Sequence, residues 1–195
     1  QDGILRHGDD NRQRYTATGR IDADITKWLN LTYSTRFTRT DYEAPSVMVN
    51  GTDEFYHNMC RYWPIIPTKD PNGNWVAESY ISRLMNGGMY KTQSDVFSQH
   101  LALRATPVKG LNINAELNYR IINDNSHTDW QTTYGYDCDG NPFVDFNANS
   151  AVREYNNKSN YFNPNIYADY SHSFGEHNLK VMAGFQSEYW HGRTI

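Results

Sequence analysis

From Arg14 to Thr40 the side chains alternate in character with a period of two. Tyr15, Ala17, Gly19, Ile21, Ala23 and Ile25 share one parity, and Arg14, Thr16, Thr18, Arg20, Asp22, Asp24 and Thr26 the other. Lys27-Trp28 interrupts the pattern, which resumes with Leu29, Leu31, Tyr33, Thr35 and Phe37 against Asn30, Thr32, Ser34, Arg36 and Thr38. Successive side chains of a strand point to opposite faces, so the stretch predicts a hairpin with one apolar and one polar face. Each arm runs about 12 residues, where strands of soluble proteins are commonest at about 5–6. At about 3.4 Å per residue such an arm reaches about 40 Å; tilted by about 45° it covers about 29 Å of height, close to a bilayer's hydrocarbon core. Length and alternation together predict a transmembrane β-barrel strand.

The motif recurs. Phe97, Leu101, Leu103 and Ala105 oppose Ser98, His100, Arg104 and Thr106. After a short turn at Pro107–Gly110, Leu111, Ile113, Ala115, Leu117, Tyr119 and Ile121 oppose Asn112, Asn114, Glu116, Asn118 and Arg120. A third hairpin sets Phe162, Ile166, Ala168 and Tyr170 against Asn163, Asn165, Tyr167 and Asp169. It turns near Gly175-Glu176-His177 and returns through Leu179, Val181, Ala183, Phe185 and Tyr189, opposed by Lys180, Gln186 and Glu188. Residues 1–12 read as a loop. Long excursions run from Thr40 to Thr92 and from Asn123 to Asn157. Turn signals fall at Asn50-Gly51, Asn72-Gly73, Gly87-Gly88 and Asp139-Gly140, and Ile65-Ile66 with Trp75-Val76 predicts a small hairpin around Asn72-Gly73. The expected fold is all-β: a segment of a large antiparallel transmembrane β-barrel, about six long strands in three hairpins, with short periplasmic turns and long extracellular loops. A soluble sandwich would scatter its loop lengths over both ends and turn about every 8–12 residues.

Composition sharpens this picture. The mean hydropathy of −0.81 over 195 residues excludes a helical membrane protein, and no apolar run approaches a helical span. A barrel needs apolar residues only at alternate positions, so a polar average is compatible with it. The 15 Tyr and 5 Trp suit interfacial aromatic girdles. Trp28, at the short turn between two long strands, is expected at the periplasmic membrane interface. A net charge of −4 carries no footprint for nucleic acid. The opening Gln1-Asp2-Gly3 has no secretory signal, which an exported barrel requires, so a mature or internal piece of a longer chain is expected.

The ordered motifs resemble one family. QDGILRHGDDNRQRYTATGRIDADITKWLNLTYSTRF, PIIPTKDPNGNW, TPVKGLNINAELNY and GEHNLKVMAGFQSEYW are similar, in sequence order, to the barrel region of SusC-like TonB-dependent outer-membrane transporters. The resemblance implies import of a nutrient across the outer membrane of a Gram-negative bacterium, an oligosaccharide in first place and a peptide in second. It further implies energy from TonB, a SusD-like surface lipoprotein as partner, and no enzymatic activity. The family also carries a plug, an N-terminal extension and a TonB-contacting segment, none of which is matched here. About six strands cannot close a barrel of about 22, so residues 1–195 are expected to be an internal part of one transmembrane barrel domain.

The candidate contact residues are loop aromatics, since such rings bury large area and keep a polar handle. Trp63, Trp75, Trp130, Tyr134 and Tyr136 are expected to meet substrate or partner; Tyr56, Tyr62, Tyr80, Tyr90 and Tyr155 share the loops with them. The bland alternative is that each packs its own loop. Asp137, Asp139 and Asn141 have the residue types of a calcium loop, but Gly140 stands fourth where an EF-hand needs glycine sixth, and the segment reads more simply as a turn. No metal or cofactor is expected. Cys60 and Cys138 fall in different outer loops; a disulfide and two free thiols both stay open. Asp22 and Asp24 could be imagined as paired catalytic carboxylates, yet with Arg20, Arg36, Arg104, Glu116 and Arg120 they read as lumen-lining ions. No nucleophile–base pair, HExxH, GxSxG or P-loop is found. Two alternative readings compete with the transporter: a soluble all-β carbohydrate-binding module with aromatic loops, and an outer-membrane barrel enzyme.

Overall fold

The computed structural model describes residues 2, 3, 5–49, 57, 60–137 and 139–195. The Asn50-Gly51 turn, Tyr56 and Cys138 lie outside them. The chain is all-β with long strands: β1 (Asn11–Thr26), β2 (Leu29–Pro45), β3 (Met89–Ala105), β4 (Leu111–Trp130), β5 (Thr133–Tyr136), β6 (Pro142–Phe146), β7 (Ala151–Phe174), β8 (His177–Gln186) and β9 (Tyr189–Thr194). A short helix, α1 (Ile81–Asn86), stands in the first excursion. Seven strands form one sheet in the order β1-β2-β3-β4-β7-β8, with β9 also paired to β7; β5 and β6 form a separate hairpin.

The chain divides into two compact units. One comprises Tyr15–Arg39, Ser94–Asp124 and Asn157–Ile195, the three predicted hairpins with their short turns. Its register keeps like with like. Across β7 and β8, Ile166 faces Phe185, Ala168 faces Ala183 and Tyr170 faces Val181, while Asn165 faces Gln186 and Ser171 faces Lys180. A slip of one residue would exchange the faces, so the alternation specifies the pairing. The turns are tied to the next hairpin. Thr106 N–H donates to the Trp28 carbonyl at 2.7 Å, and Ser171 N–H to the Gly110 carbonyl at 2.8 Å. Gly110 is required there: its φ is +88°, and a Cβ would lie 2.3 Å from the Ser171 carbonyl oxygen.

The last predicted arm is split into β8 and β9. Both pair with β7 in one register, since Phe162–Tyr189 and Asn165–Gln186 fall on a single ladder. The break lies where Pro164 would meet Ser187. Ser187 N–H donates to the Pro164 carbonyl at 3.1 Å, but proline has no N–H to return. The side-chain amide of Asn163 takes its place, donating from Nδ2 to the Ser187 carbonyl at 2.9 Å. We predict that Asn163→Ala, which orphans that carbonyl, destabilises the full chain by about 1–3 kcal/mol. Pro164→Ala added to it should restore part of the loss, because residue 164 then has an N–H to give. Equal unfolding midpoints for Asn163→Ala and the parent would refute the substitution of side chain for backbone.

The other unit comprises Gln1–Arg14, Thr40–Gln93 and Asn125–Asn156. The strands run further into the predicted excursions, and into the predicted N-terminal loop, than alternation indicated. β2 continues to Pro45, β3 begins at Met89, β4 runs on to Trp130 and β7 starts at Ala151. Ladder hydrogen bonds satisfy the backbone whatever the side chains are, so a strand outlasts its apolar stripe. The small hairpin expected at Ile65-Ile66 and Trp75-Val76 is instead a single bridge between Lys69 and Trp75, and Ile65 is exposed. Among the described residues the buried hydrophobic side chains are Ala44, Val47 and Leu84, all in this unit. Leu5, Met48 and Phe146 pack against Val47 and Leu84.

Candidate functional site

Two five-residue segments of the loop-bearing unit share a sequence pattern, Asp70-Pro71-Asn72-Gly73-Asn74 and Asp137-Cys138-Asp139-Gly140-Asn141, and their described residues make the same hydrogen bonds. In the first, Asn74 N–H donates to Asp70 Oδ1 at 2.8 Å and Asn74 Nδ2 to Oδ2 at 3.1 Å. In the second, Asn141 N–H donates to Asp137 Oδ1 at 2.8 Å and Asn141 Nδ2 to Oδ2 at 3.0 Å. The backbone matches as well. Gly73 N–H donates to the Asp70 carbonyl and Gly140 N–H to that of Asp137, each at 3.0 Å. The glycines supply the left-handed residue, at φ +89° and +83°. The turns lie together: a Cβ on Gly140 would be 3.6 Å from Asn72 Nδ2.

The turns keep their aspartates ionised. Burial pushes the Asp70 carboxyl up, but the backbone and side chain of Asn74 and the N–H groups of Asn72 and Gly73 outweigh it and hold the pKa below its ordinary 3.8. For Asp137 the side chain of Asn141 does most, its N–H next, again holding the pKa below 3.8. A carboxyl lowered by folding stabilises the fold fully above its unfolded value, and loses that contribution as pH falls through the folded one. Both turns are therefore expected to loosen as pH falls below 3.8. Amide exchange at Asn74 and Asn141 reads this directly; protection unchanged down to strong acid would contradict it. As for the calcium reading, both oxygens of Asp137 are engaged by N–H donors of their own loop, Asp139 N–H among them at 3.0 Å.

Each turn carries an aromatic next to it, Trp75 after the first and Tyr136 before the second. β5 pairs with β6, Tyr134 against Val144 and Tyr136 against Pro142, with an irregularity between Thr133 and Tyr134. Period two puts Tyr134 and Tyr136 on one face, both exposed, and Thr133 and Gly135 on the other, both buried. α1 is fastened to β6 by a bidentate pair: Arg83 Nε donates to Asp145 Oδ2 at 2.8 Å and Nη2 to Oδ1 at 2.6 Å. The guanidinium also lies 4.4 Å from the Tyr80 ring centre and 5.3 Å from that of Phe146.

These elements line a pocket of about 350 Å³. Trp75, Tyr134 and Tyr136 supply its rings, Asn74 and Asn86 its amides, and Ser82, Thr132 and Thr133 its hydroxyls. Three of the five expected contact aromatics thus come together. Trp63 stands exposed elsewhere on the loop, and Trp130 lies under the Arg153 guanidinium at 5.3 Å. Tyr62 and Tyr80 serve their own loop, Tyr62 by donating to the Ile66 carbonyl at 3.0 Å. Reading residue by residue missed Asn86 and the paired turns; the repeated Asp-x-x-Gly-Asn spacing was the signal available. Cys60 is exposed.

The hairpin unit presents a second surface. Its polar face holds a groove of about 450 Å³, lined by Arg36, His100, Asn118, Arg120, Tyr161 and Asn163 among others. A chain of hydrogen bonds crosses it: His100 Nδ1 lies 2.8 Å from Asn118 Oδ1, and Asn118 Nδ2 donates to Asn163 Oδ1 at 3.3 Å. Asp22 and Asp24 are held by neighbours on that face. Arg20 and Thr32 both donate to Asp22, and Asn30 donates to Asp24. The opposite, apolar face is bare. Ile21 is 61% exposed, Val181 56% and Phe185 70%.

No family model matches the chain, and no curated protein matches it. Among solved structures, it is similar to a chain in the structure of the RagAB peptide importer in the closed-closed state, with TM-score 0.68 and 18% identity. It is likewise similar to a chain in the structure of the RagAB peptide transporter, with TM-score 0.69 and 18% identity. Each likeness covers 100% of this chain and 22% of the solved one, so the chain spans about a fifth of their length. At that identity the likeness speaks for the fold: long antiparallel strands forming a segment of a large β-barrel.

Proposed function

We propose that this chain is part of the wall and outer loops of a TonB-dependent importer in the outer membrane of a Gram-negative bacterium, passing an oligomeric nutrient with a SusD-like lipoprotein as partner. One observation carries the reading. The hairpin unit exposes a continuous apolar face and, among the described residues, buries no hydrophobic side chain. A soluble sandwich would cover such a face with a second sheet; lipid covers it at no cost. The face also ends where a bilayer would require. Arg39, two positions beyond Phe37 on the same parity, pairs bidentately with Asp95 at 2.7 and 2.8 Å. Ions are expensive in hydrocarbon, so this pair marks the outer border. Leu29 through Phe37 then spans nine positions, within the about 9–11 residues that a tilted strand needs to cross.

Trp28 marks the other border. It is 49% exposed at the Lys27-Trp28 turn, where an indole suits the headgroup region. Trp28→Asp is expected to lower the amount of full-length protein inserted in the outer membrane. An undiminished yield would count against the placement.

The cargo we favour is an oligosaccharide, because the loop pocket is lined by rings, amides and hydroxyls without a charged side chain. The peptide importers of the same fold support a peptide as the second reading. Cells lacking the full-length protein should stop growing on oligosaccharide at limiting concentration while still growing on the monosaccharide. If growth is lost on peptides and kept on oligosaccharides, the cargo is peptide; if both persist, the import reading falls.

A further inference from the structure

We infer that the pocket between the paired turns, α1 and β5 is a binding subsite for one neutral sugar unit, with Tyr134 and Tyr136 as the stacking platform and Asn86 as the hydroxyl-reading group. This rests on the import reading above for its place in the cell, but the binding itself does not. The pocket is small, 350 Å³, at the low end of the about 300–1,000 Å³ usual for ligand sites. That suits the end of a chain of sugar rings better than a folded partner.

Two features select the ligand chemistry. First, the rings: Tyr134 and Tyr136 stand on one face of a rigid hairpin, both exposed. A sugar's C–H face packs on such rings while its hydroxyls stay free for hydrogen bonds. Second, the charges that lie near are already engaged. Asp70 and Asp137 close their own turns, Arg83 is bound to Asp145, and Lys69 Nζ sits 4.4 Å over Trp75. Among the described residues, an acidic sugar or the ionised ends of a peptide would find no free counter-charge in the lining.

The side chains are placed before a ligand arrives. The paired Asp–Asn turns fix the backbones flanking Trp75 and Tyr136, and the Arg83–Asp145 pair fixes α1, from which Ser82 and Asn86 reach the pocket. Little ordering entropy remains to be lost on binding.

The test uses the purified full-length protein in detergent and a panel of neutral oligosaccharides of glucose, mannose, galactose and xylose. An oligogalacturonate and an uncapped tetrapeptide serve as charged probes. Titration is followed by intrinsic tryptophan fluorescence and calorimetry. At least one neutral probe is expected to bind, about tenfold more weakly to Tyr134→Ala and to Asn86→Ala. Tyr134→Phe, which keeps the ring, should stay near the parent, so a folding defect cannot imitate the result. The inference is overturned if no neutral probe binds, if neither alanine variant weakens binding, or if the charged probes bind more tightly through the same residues. Saccharide binding without import would leave this subsite standing and remove the transport reading; import without binding would do the reverse.

Discussion

Leu117→Arg is expected to cut outer-membrane insertion of the full-length protein severely. Leu117 lies midway along the apolar parity of β4, six positions beyond Leu111 and four before Ile121. Arginine on the lipid face near the bilayer midplane costs about 2–4 kcal/mol in a barrel, falling toward zero at the interfaces. That cost is set by surroundings, not by the residue. Asn114→Arg, on the opposite parity of the same strand, should insert at near-parental levels because it faces away from lipid. Yield in the outer-membrane fraction, with heat-modifiable migration as the sign of a folded barrel, separates the two. Comparable insertion of both variants would mean that the two faces see the same solvent, and the membrane reading would be lost.

Arg83→Met should be the most damaging single change in the loop-bearing unit. The Asp145 side chain is only 4% exposed and that of Arg83 16%. Deleting the guanidinium leaves a carboxylate stranded out of water, which typically costs about 3–5 kcal/mol, against about 0–1 for a solvent-exposed pair. The rings of Tyr80 and Phe146 lose their cation as well. The effect should appear as faster limited proteolysis of the segment around α1 and β6, in a protein still inserted normally. Replacing both partners, Arg83→Leu with Asp145→Leu, should recover most of the resistance, since an apolar pair of similar bulk needs no counter-charge. Proteolysis of Arg83→Met at the parental rate would show the pair to be ornamental. Because α1 and β5–β6 frame the saccharide pocket, Arg83→Met is also expected to weaken sugar binding.

Much of the hairpin unit was readable along the chain. Ile166, Ala168 and Tyr170 meet Phe185, Ala183 and Val181 because they share a parity, and that parity can be counted off the letters. The turns at Lys27-Trp28 and Gly175-Glu176 fall where the pattern stops. Strand ends were harder: β4 continues through Asp124, Ser126 and Thr128 to Trp130, where outward positions need no grease and alternation leaves no trace. Pro164 was another blind spot. A proline inside a strand argues against pairing, and only the geometry reveals that Asn163 makes the missing hydrogen bond.

What the sequence by itself determined, then, is which side chains share a face and where the chain reverses tightly, because both depend on neighbours one or two positions away. Tertiary structure alone decided that Trp75 joins Tyr134 and Tyr136, that Arg83 finds Asp145, and that two distant Asp–Asn turns lie side by side. Such contacts join residues some sixty positions apart, and loops have no period from which their meeting could be inferred.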